Sequence, residues 1–415
     1  MEDRDLIGRA LDRIHNPMQV GGEYNLFKQP DFRKKPLQHK SMRLKVPTRL
    51  NAMGLAPKEL VDCYVNNLIC KEGEVLFSID LPTEIKVSYD STEDQVKLPV
   101  QNSVVQHTIM LLSEILGCDY RNFSVEFKRA ASYRHCGLGS TGSLMAATAV
   151  SINEMFGSPI QKQYLCKYLS QNYGEEIDAD ISKLMPVQCI GGSLVNSMYG
   201  GAIKIISGES QLIFAGKMPV DYHVYVLMPE NYDQDSKEAL SNESQIFQRF
   251  IDMDKKFRKK NSDGLIHTVL PALSENNNLI QAHGMFHANY SSEVAQLTKA
   301  NFKLLGDFIL DYKLNSGSLD AANEVHHSIP FKEVFMELVN SLYTQYDSCL
   351  TLSVSSAGPG IFVVCSEPME DKIQQIIKGK GYTMLSCSVD NNPAQIIASK
   401  ALEKENTKLE LNLSN

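Results

Sequence analysis

The sequence has no C-x-x-C pair, no stretch approaching eighteen apolar residues and no dense basic stripe interleaved with aromatic residues. Each absence removes something. The nine cysteines (63, 70, 118, 136, 166, 189, 349, 365 and 387) lie mostly inside apolar runs such as Ile361-Phe362-Val363-Val364-Cys365. They read as reduced core residues of a cytosolic protein, not as redox or zinc motifs. No apolar run is long enough to span a bilayer, and the charged N-terminus lacks the hydrophobic core of a signal peptide. A soluble cytoplasmic protein with no membrane partner is the expectation. The net charge of −8 and a pI near 5.7 argue against nucleic acid as a partner. The short clusters Arg33-Lys34-Lys35 and Lys255 to Lys260 read as solvated faces or loops. What is present in quantity is apolar residue, 43% of 415, enough to build the cores of two domains.

The chain is organised around Cys136-Gly137-Leu138-Gly139-Ser140-Thr141-Gly142-Ser143. The alternating stretch Phe123 to Phe127 in front of it predicts a strand. The small apolar residues behind it, Leu144 to Val150 and on to Phe156, predict a buried helix closed by Gly157 and Pro159. Glycines and hydroxyls therefore stand where the chain enters a helix N-terminus. The first N–H groups of a helix have no intrahelical partner, and its dipole favours an anion there. Gly137, Gly139 and Gly142 would let the backbone approach a phosphate, with Ser140, Thr141 and Ser143 as hydroxyl donors. A ligand-free glycine turn with serine caps is the alternative reading. The loop lacks the Gly-Lys-Ser/Thr ending of a Walker A loop, and the glycine spacing and downstream acid of a dinucleotide fingerprint.

Taken in order, residues 1–41 read as an extension, a helix followed by an irregular arm. A first strand from Met42 ends in a polar turn at Pro47 to Asn51. Val75 to Ile79 and Ile85 to Tyr89 read as two strands joined by Leu81-Pro82-Thr83, followed by a helix over Val104 to Leu116. After the glycine loop and its helix come a helix near Gln161 to Asn172, a second glycine turn at Cys189 to Ser193 and a strand opened by Gly200-Gly201. In the second half, strands are expected at Tyr222 to Met228, Leu350 to Val354, Ile361 to Cys365 and Thr383 to Val389. Helices are expected at Asn242 to Phe257, Gly264 to Ala282, Asn301 to Leu314, Phe331 to Tyr343 and Met369 to Lys378. Mixed strands and helices with hairpins in the first half favour an α+β fold. The boundaries read as 1–41, 42–218, 219–400 and a polar tail over 401–415.

The Gly-Leu-Gly-Ser loop, the middle Gly200-Gly201 strand and the late turn Ser355-Ser356-Ala357-Gly358-Pro359-Gly360 form a three-part signature. It resembles the GHMP superfamily, named for galacto-, homoserine, mevalonate and phosphomevalonate kinases, from about Met42 to Ile397. Within it, the sequence is similar to β-ribofuranosylaminobenzene 5′-phosphate synthase and related C-riboside synthases. Pro47-Thr48-Arg49-Leu50-Asn51 resembles that branch's Pro-Ser-Arg-Leu-His, and His135 to Ser140 its His-Val-Gly-Leu-Gly-Ser. Glu243 to Phe250, Leu270-Pro271 and Val389-Asp390-Asn391-Asn392-Pro393 are also similar to branch segments. Mevalonate-type kinases carry an aspartate shortly before the middle glycine pair. Ser193 stands at that position here, and no acid occurs between Lys183 and Glu209.

The resemblance implies a two-domain GHMP-kinase-like fold with mixed and antiparallel sheets and packed helices. It implies a transferase that joins ribose 5-phosphate, from phosphoribosyl diphosphate, to a small aromatic or heteroaromatic acid through a C-glycosidic bond with decarboxylation. An ATP-dependent small-molecule kinase and a non-catalytic GHMP-fold binding module are the alternatives. Mg²⁺ is the expected cation and a homodimer an open expectation. Donor phosphates fall to Arg49, the loop residues 137, 139–143, and Ser355, Ser356, Gly358 and Gly360. Asn51, Ser193, Asp390 and Asn391 fall to the acceptor, and no residue is singled out as acid or base. Arg49 has the planar fork that binds phosphate bidentately, against a plain surface ion pair. His135 reads equally as a diphosphate ligand or a packing residue. His283, His287, His326 and His327 are read as structural, not as metal ligands.

Overall fold

The computed structural model describes residues 17–22, 33–55, 73–91, 101–129, 135–177, 180–187, 189–207, 210–232 and 295–401, with a few single positions between 238 and 264. A short strand, β1 (Met18–Gln19), precedes two strands of seventeen residues each, β2 (His39–Leu55) and β3 (Gly73–Tyr89). These pair antiparallel along nearly their whole length. The turn expected at 47–51 and the break expected at Leu81-Pro82-Thr83 are therefore not strand ends. Pairing steps from Val46↔Thr83 to Thr48↔Ile79, so Pro47 and Leu81-Pro82 share one bulge. Proline has no ladder donor and is accommodated where pairing is interrupted.

That bulge re-aims everything beyond it. Met42, Leu44 and Val46 point into one core, while Leu50 and Ala52, also even-numbered, join a different one. A one-residue slip exchanges the faces of a strand, because side chains alternate with period two. Arg43 and Lys45 lie on the outer face in ion pairs with Glu84 and Asp80. Past the bulge, Arg49 and Asn51 face the helices instead.

Five further strands extend this sheet: β4 (Phe123–Lys128), β7 (Ile203–Ser207), β8 (Gln211–Lys217), β10 (Ala295–Gln296) and β14 (Gln395–Ala401). The order is β10-β8-β7-β3-β2-β14, with β4 beside the far half of β3. Pairing is antiparallel except between β10 and β8. The hairpin of β5 (Gly174–Ile177) and β6 (Asp180–Pro186) makes a small sheet with β1. A four-stranded antiparallel sheet runs β11 (Cys349–Val354), β12 (Ile361–Cys365), β9 (His223–Pro229), β13 (Tyr382–Ser388). Because β10 and β14 return to the large sheet, the 218/219 boundary does not separate its strands.

On the helical side, α1 (Ser103–Leu116) is capped by the Asn102 side chain and closed by left-handed Gly117. The buried helix α2 (Ser140–Met155) packs on β2 and β3 and against α1. Its small residues, Ala146, Ala147 and Ala149 among them, are fully buried and permit that close approach. Beyond α3 (Lys162–Gln171), the second glycine turn opens a helix the sequence reading did not anticipate, α4 (Gly192–Met198). Helices α5 (Lys299–Asn315), α6 (Ser318–Val325), α7 (Phe331–Leu338) and α8 (Glu370–Ile377) complete the second half. The helix expected over 331–343 changes to a wider turn at Val339–Tyr343. The helices expected over 242–257 and 264–282 lie outside the described residues apart from single positions. So do the helix of the N-terminal extension, the branch-like segments at 243–250 and 270–271, Cys63, Cys70, His283, His287 and residues 402–415.

Candidate functional site

The chain reaches α2 through His135, Gly137 and Gly139, all left-handed at φ 53°, 82° and 61°. Gly139 is the N-cap and offers no side chain to the open N–H groups of the helix. The Ser355 to Gly360 turn is packed on one flank of the loop. Ser355 Oγ donates to the Gly137 carbonyl at 2.7 Å and accepts the Asn51 N–H at 3.1 Å. The Ser356 N–H donates to the Asn51 carbonyl at 3.0 Å. A Cβ on Gly137 would meet the Ser355 backbone, and one on Gly360 would lie 2.5 Å from the Cys136 carbonyl oxygen. These glycines permit loop to touch loop. Gly358, left-handed at φ 85°, lies beside His326.

The other flank is formed by Arg49 and Ser193. A Cβ on Gly142 would stand 2.6 Å from the Ser193 Cβ, and one on Gly139 would stand 2.9 Å from Arg49 Nε. Arg49 Nε donates to Ser193 Oγ at 3.2 Å, and Ser193 Oγ lies 3.3 Å from the Gly139 carbonyl, to which it donates. Two donors here are left over: Arg49 Nη1 and Ser143 Oγ are buried and have no hydrogen-bond partner among the described residues. Ser140 is half-buried at the first helical position. Thr141 departs from expectation, since its hydroxyl donates to Glu175 Oε2 at 2.7 Å. The Tyr173 hydroxyl donates to the other oxygen of Glu175 at 2.5 Å.

Among the residues assigned to the acceptor, Asn51 and Ser193 come to the loop. Asp390 and Asn391 are used elsewhere. The Asn391 amide accepts the Met218 N–H at 2.9 Å and donates to the Met218 carbonyl at 2.8 Å, and its own carbonyl accepts the Gly201 N–H. Asp390 accepts the Asn392 N–H and amide at 2.9 Å, while its N–H donates to the Ser78 carbonyl. These bonds anchor the segment leading into β14, and none reaches the loop.

Residues 103–185, from α1 to the end of β6, match the family model of the GHMP kinases N terminal domain. The mevalonate pyrophosphate decarboxylase of Streptococcus pyogenes superposes with a TM-score of 0.54 at 12% identity, over 86% of this chain and 98% of that one. The mevalonate diphosphate decarboxylase of Staphylococcus aureus gives 0.52 at 13% identity, over 86% and 98%. The homoserine kinase of Cytophaga hutchinsonii gives 0.49 at 14%, over 90% and 100%. No curated protein matches the chain. The likeness to the GHMP family model is confined to residues 103–185, and over most of its length the chain shares the fold of these decarboxylases.

Within this GHMP fold, the structure brings in two ionisable groups that the sequence reading passed over. Glu74, on β3 and 1% exposed, accepts from Asn51 Nδ2 and from the Gly192 N–H. Burial pushes its carboxyl up, opposed by the Arg49 charge and these two bonds. It thus delivers a carboxylate next to Ser193 from a different strand. Lys204, fully buried on β7, donates to the Gly201 carbonyl at 2.6 Å, Ser78 Oγ at 2.8 Å and Asn196 Oδ1 at 3.1 Å. Burial brings its ammonium down to about 7, with Asp390 acting the other way. Both lie behind α4 and tie it to the sheet. Of the histidines, His326 is buried between Tyr232 and the Ala357 carbonyl, 3.1 Å from Nε2. Among the described residues no group of three or more His, Cys, Asp or Glu side chains is arranged to hold a metal ion. No helix among them is long and apolar enough to cross a membrane.

Proposed function

We propose that this protein is a transferase that holds the phosphates of a donor at the N-terminus of α2. The donor is phosphoribosyl diphosphate and the acceptor a small aromatic or heteroaromatic acid. The observation that carries the phosphate site is the pair of unsatisfied buried donors, Arg49 Nη1 and Ser143 Oγ, beside an uncapped helix start. A buried donor without a partner costs about 1–3 kcal/mol, and an arriving phosphate oxygen removes that cost. Loss of diphosphate builds negative charge on the leaving group, which Arg49 and the helix dipole are placed to stabilise. Glu175 and Thr141 supply hard oxygen donors beside the loop, a set that suits Mg²⁺ together with donor phosphates. Bound there, the cation would neutralise charge on the diphosphate. The choice of donor rests on the resemblance of the Arg49 and glycine-loop segments to the C-riboside synthases. Loss of carbon dioxide after carbon attack restores aromaticity, so this reaction asks for no strong protein base.

A second reading, an ATP-dependent small-molecule kinase, is favoured by Glu74. Its carboxylate lies against Gly192, one residue from the position where mevalonate-type kinases carry their aspartate. The two readings separate in one assay. The protein is incubated with Mg²⁺, phosphoribosyl diphosphate and a panel of hydroxybenzoic, aminobenzoic and azole acids, and in parallel with ATP and small alcohols. Release of diphosphate and carbon dioxide with an acid supports the first reading. ADP formation with an alcohol and no release in the first arm supports the kinase.

A further inference from the structure

Glu74 has no role in the transferase reaction as drawn, yet its carboxylate touches both α4 and β2 beside the loop. It stands in β3 with Leu76 and Ser78 on the face that meets the helices. Its oxygens are enclosed: a Cβ on Gly192 would collide with the carboxylate, so a glycine is required for the two to meet. The groups that act on it come from two elements. Arg49 on β2 brings the positive charge and Asn51 an amide donor; Gly192 at the start of α4 brings a backbone N–H. Cys189, before α4, is within electrostatic reach, but burial pushes its thiol up to about 12 and it stays neutral. The adjoining β7 meets Glu74 at Ile206, and Lys204 on that strand is bonded to Ser78, Asn196 and Gly201.

We propose that Glu74 is the positioning residue of the donor site, an internal anion that balances Arg49 while the site is empty and takes up a proton when donor phosphates engage Arg49. This rests on the phosphate site proposed above. With Nε committed to Ser193, the unpartnered Nη1 of Arg49 is what a phosphate can take. Once it does, the positive charge that favours the Glu74 carboxylate is shared with a stronger anion, and a second negative charge has come near. Both changes favour the neutral acid in a buried setting. The proton comes from solvent and no covalent bond changes. The neutral acid still accepts from Gly192 and can donate to Asn51, so α4 and β2 stay in place. Binding linked to proton uptake is strongest at low pH and weakens as pH rises through the range in which the bound-state acid ionises.

The test is calorimetric titration of inorganic diphosphate into the full chain, in two buffers of different ionisation heat at the same near-neutral pH. Wild type is compared with Glu74→Gln, which keeps the shape and can still pair with Gly192 and Asn51 but cannot titrate. Wild type should take up more protons than the variant, by up to about one. Its affinity should fall more steeply with rising pH, by up to about tenfold per unit, relative to the variant. The variant should therefore bind more tightly than wild type at the alkaline end. Equal proton counts and parallel pH profiles, with diphosphate bound by both, would overturn the role of Glu74 and leave the phosphate site standing. Absence of diphosphate binding to wild type would overturn the phosphate site and the proposal with it. Circular dichroism of the variant guards against misfolding, and Glu74→Asp, which keeps the charge, should restore the wild-type proton count.

Discussion

Among the described residues three helices begin on a left-handed glycine, and the two at the site, α2 and α4, differ in what meets their open N–H groups. Before α2 stands Gly139 at φ 61°, and before α4 stands Gly191 at φ 92°; neither supplies a side-chain cap. At α4 the fold provides its own anion, the Glu74 carboxylate on the Gly192 N–H. At α2 the nearby carboxylate, Glu175, spends its oxygens on the Thr141 and Tyr173 hydroxyls. What remains around α2 is a surplus of donors, Arg49 Nη1 and Ser143 Oγ. One helix start meets a carboxylate of the fold, and the other is where we propose that a ligand supplies the anion. A left-handed glycine N-cap therefore meets a carboxylate of the fold in one place and, on our reading, a ligand in the other.

The largest effect is expected from Gly139→Asp, which gives the α2 start an internal anion of its own. A like charge about 4 Å from a phosphate costs on the order of 4 kcal/mol at an effective dielectric near 20, roughly a thousandfold in donor affinity. The left-handed φ and the neighbouring Arg49 and Ser193 side chains add strain, so melting should also fall. Gly139→Ala separates the two, since it carries the strain without the charge. Calorimetry for binding and a thermal melt for stability together sharpen the contrast with α4.

At the other helix start, Gly192→Ala should cost stability. The added Cβ displaces the Glu74 carboxylate from the Gly192 N–H and the Asn51 amide. Losing partners for a buried charged group amounts to about 1–3 kcal/mol, measurable as a lower urea midpoint. An unchanged midpoint would mean that α4 does not depend on its internal anion.

A smaller effect marks residues outside the comparison. Asn391→Ala removes two bonds to the Met218 backbone and should cost about 1–2 kcal/mol in chemical denaturation. Donor affinity should stay within roughly twofold of wild type, because none of those bonds reaches the loop. A large loss of donor affinity would bring Asn391 back into the site.

Much of this was legible beforehand where a local rule was strong. The glycine loop, the buried small-residue helix, Gly117 as a C-cap and the strand at Ile361–Cys365 follow from spacing and composition. The meeting of Arg49 with the loop was readable only through family resemblance. Its physical cause is a bulge: Pro47 looked like the end of a strand, but a partner strand with its own proline at position 82 absorbs the irregularity and turns Arg49 inward. Strand β14 escaped notice because it is an exposed edge with no apolar alternation to detect. Helix α4 escaped because a seven-residue helix carries too little periodicity. Glu74 left a faint signal, a lone acid inside an apolar strand segment from Gly73 to Ile79. Its partners, Asn51 and Gly192, are distant in sequence, so nothing local distinguishes it from a solvated strand-end charge. For Asp390 and Asn391 the sequence shows only a polar cluster near a family-like segment, and their bonds to Met218 and Asn392 became visible only in the structure.

The surplus of donors at α2 is most directly tested with Ser143→Ala, by calorimetric titration of phosphoribosyl diphosphate and of an ATP analogue alongside a thermal melt. Ser143 is 1% exposed and its hydroxyl has no partner among the described residues, so removing it should leave the empty protein as stable as wild type or slightly more so. The same change should weaken whichever donor the wild type binds by about 1.5 kcal/mol, roughly tenfold, the worth of a hydrogen bond to a charged group. Lower affinity at undiminished stability is the result expected of a hydroxyl kept for a phosphate. Wild-type affinity in the variant, or a marked loss of stability in the empty protein, would contradict it.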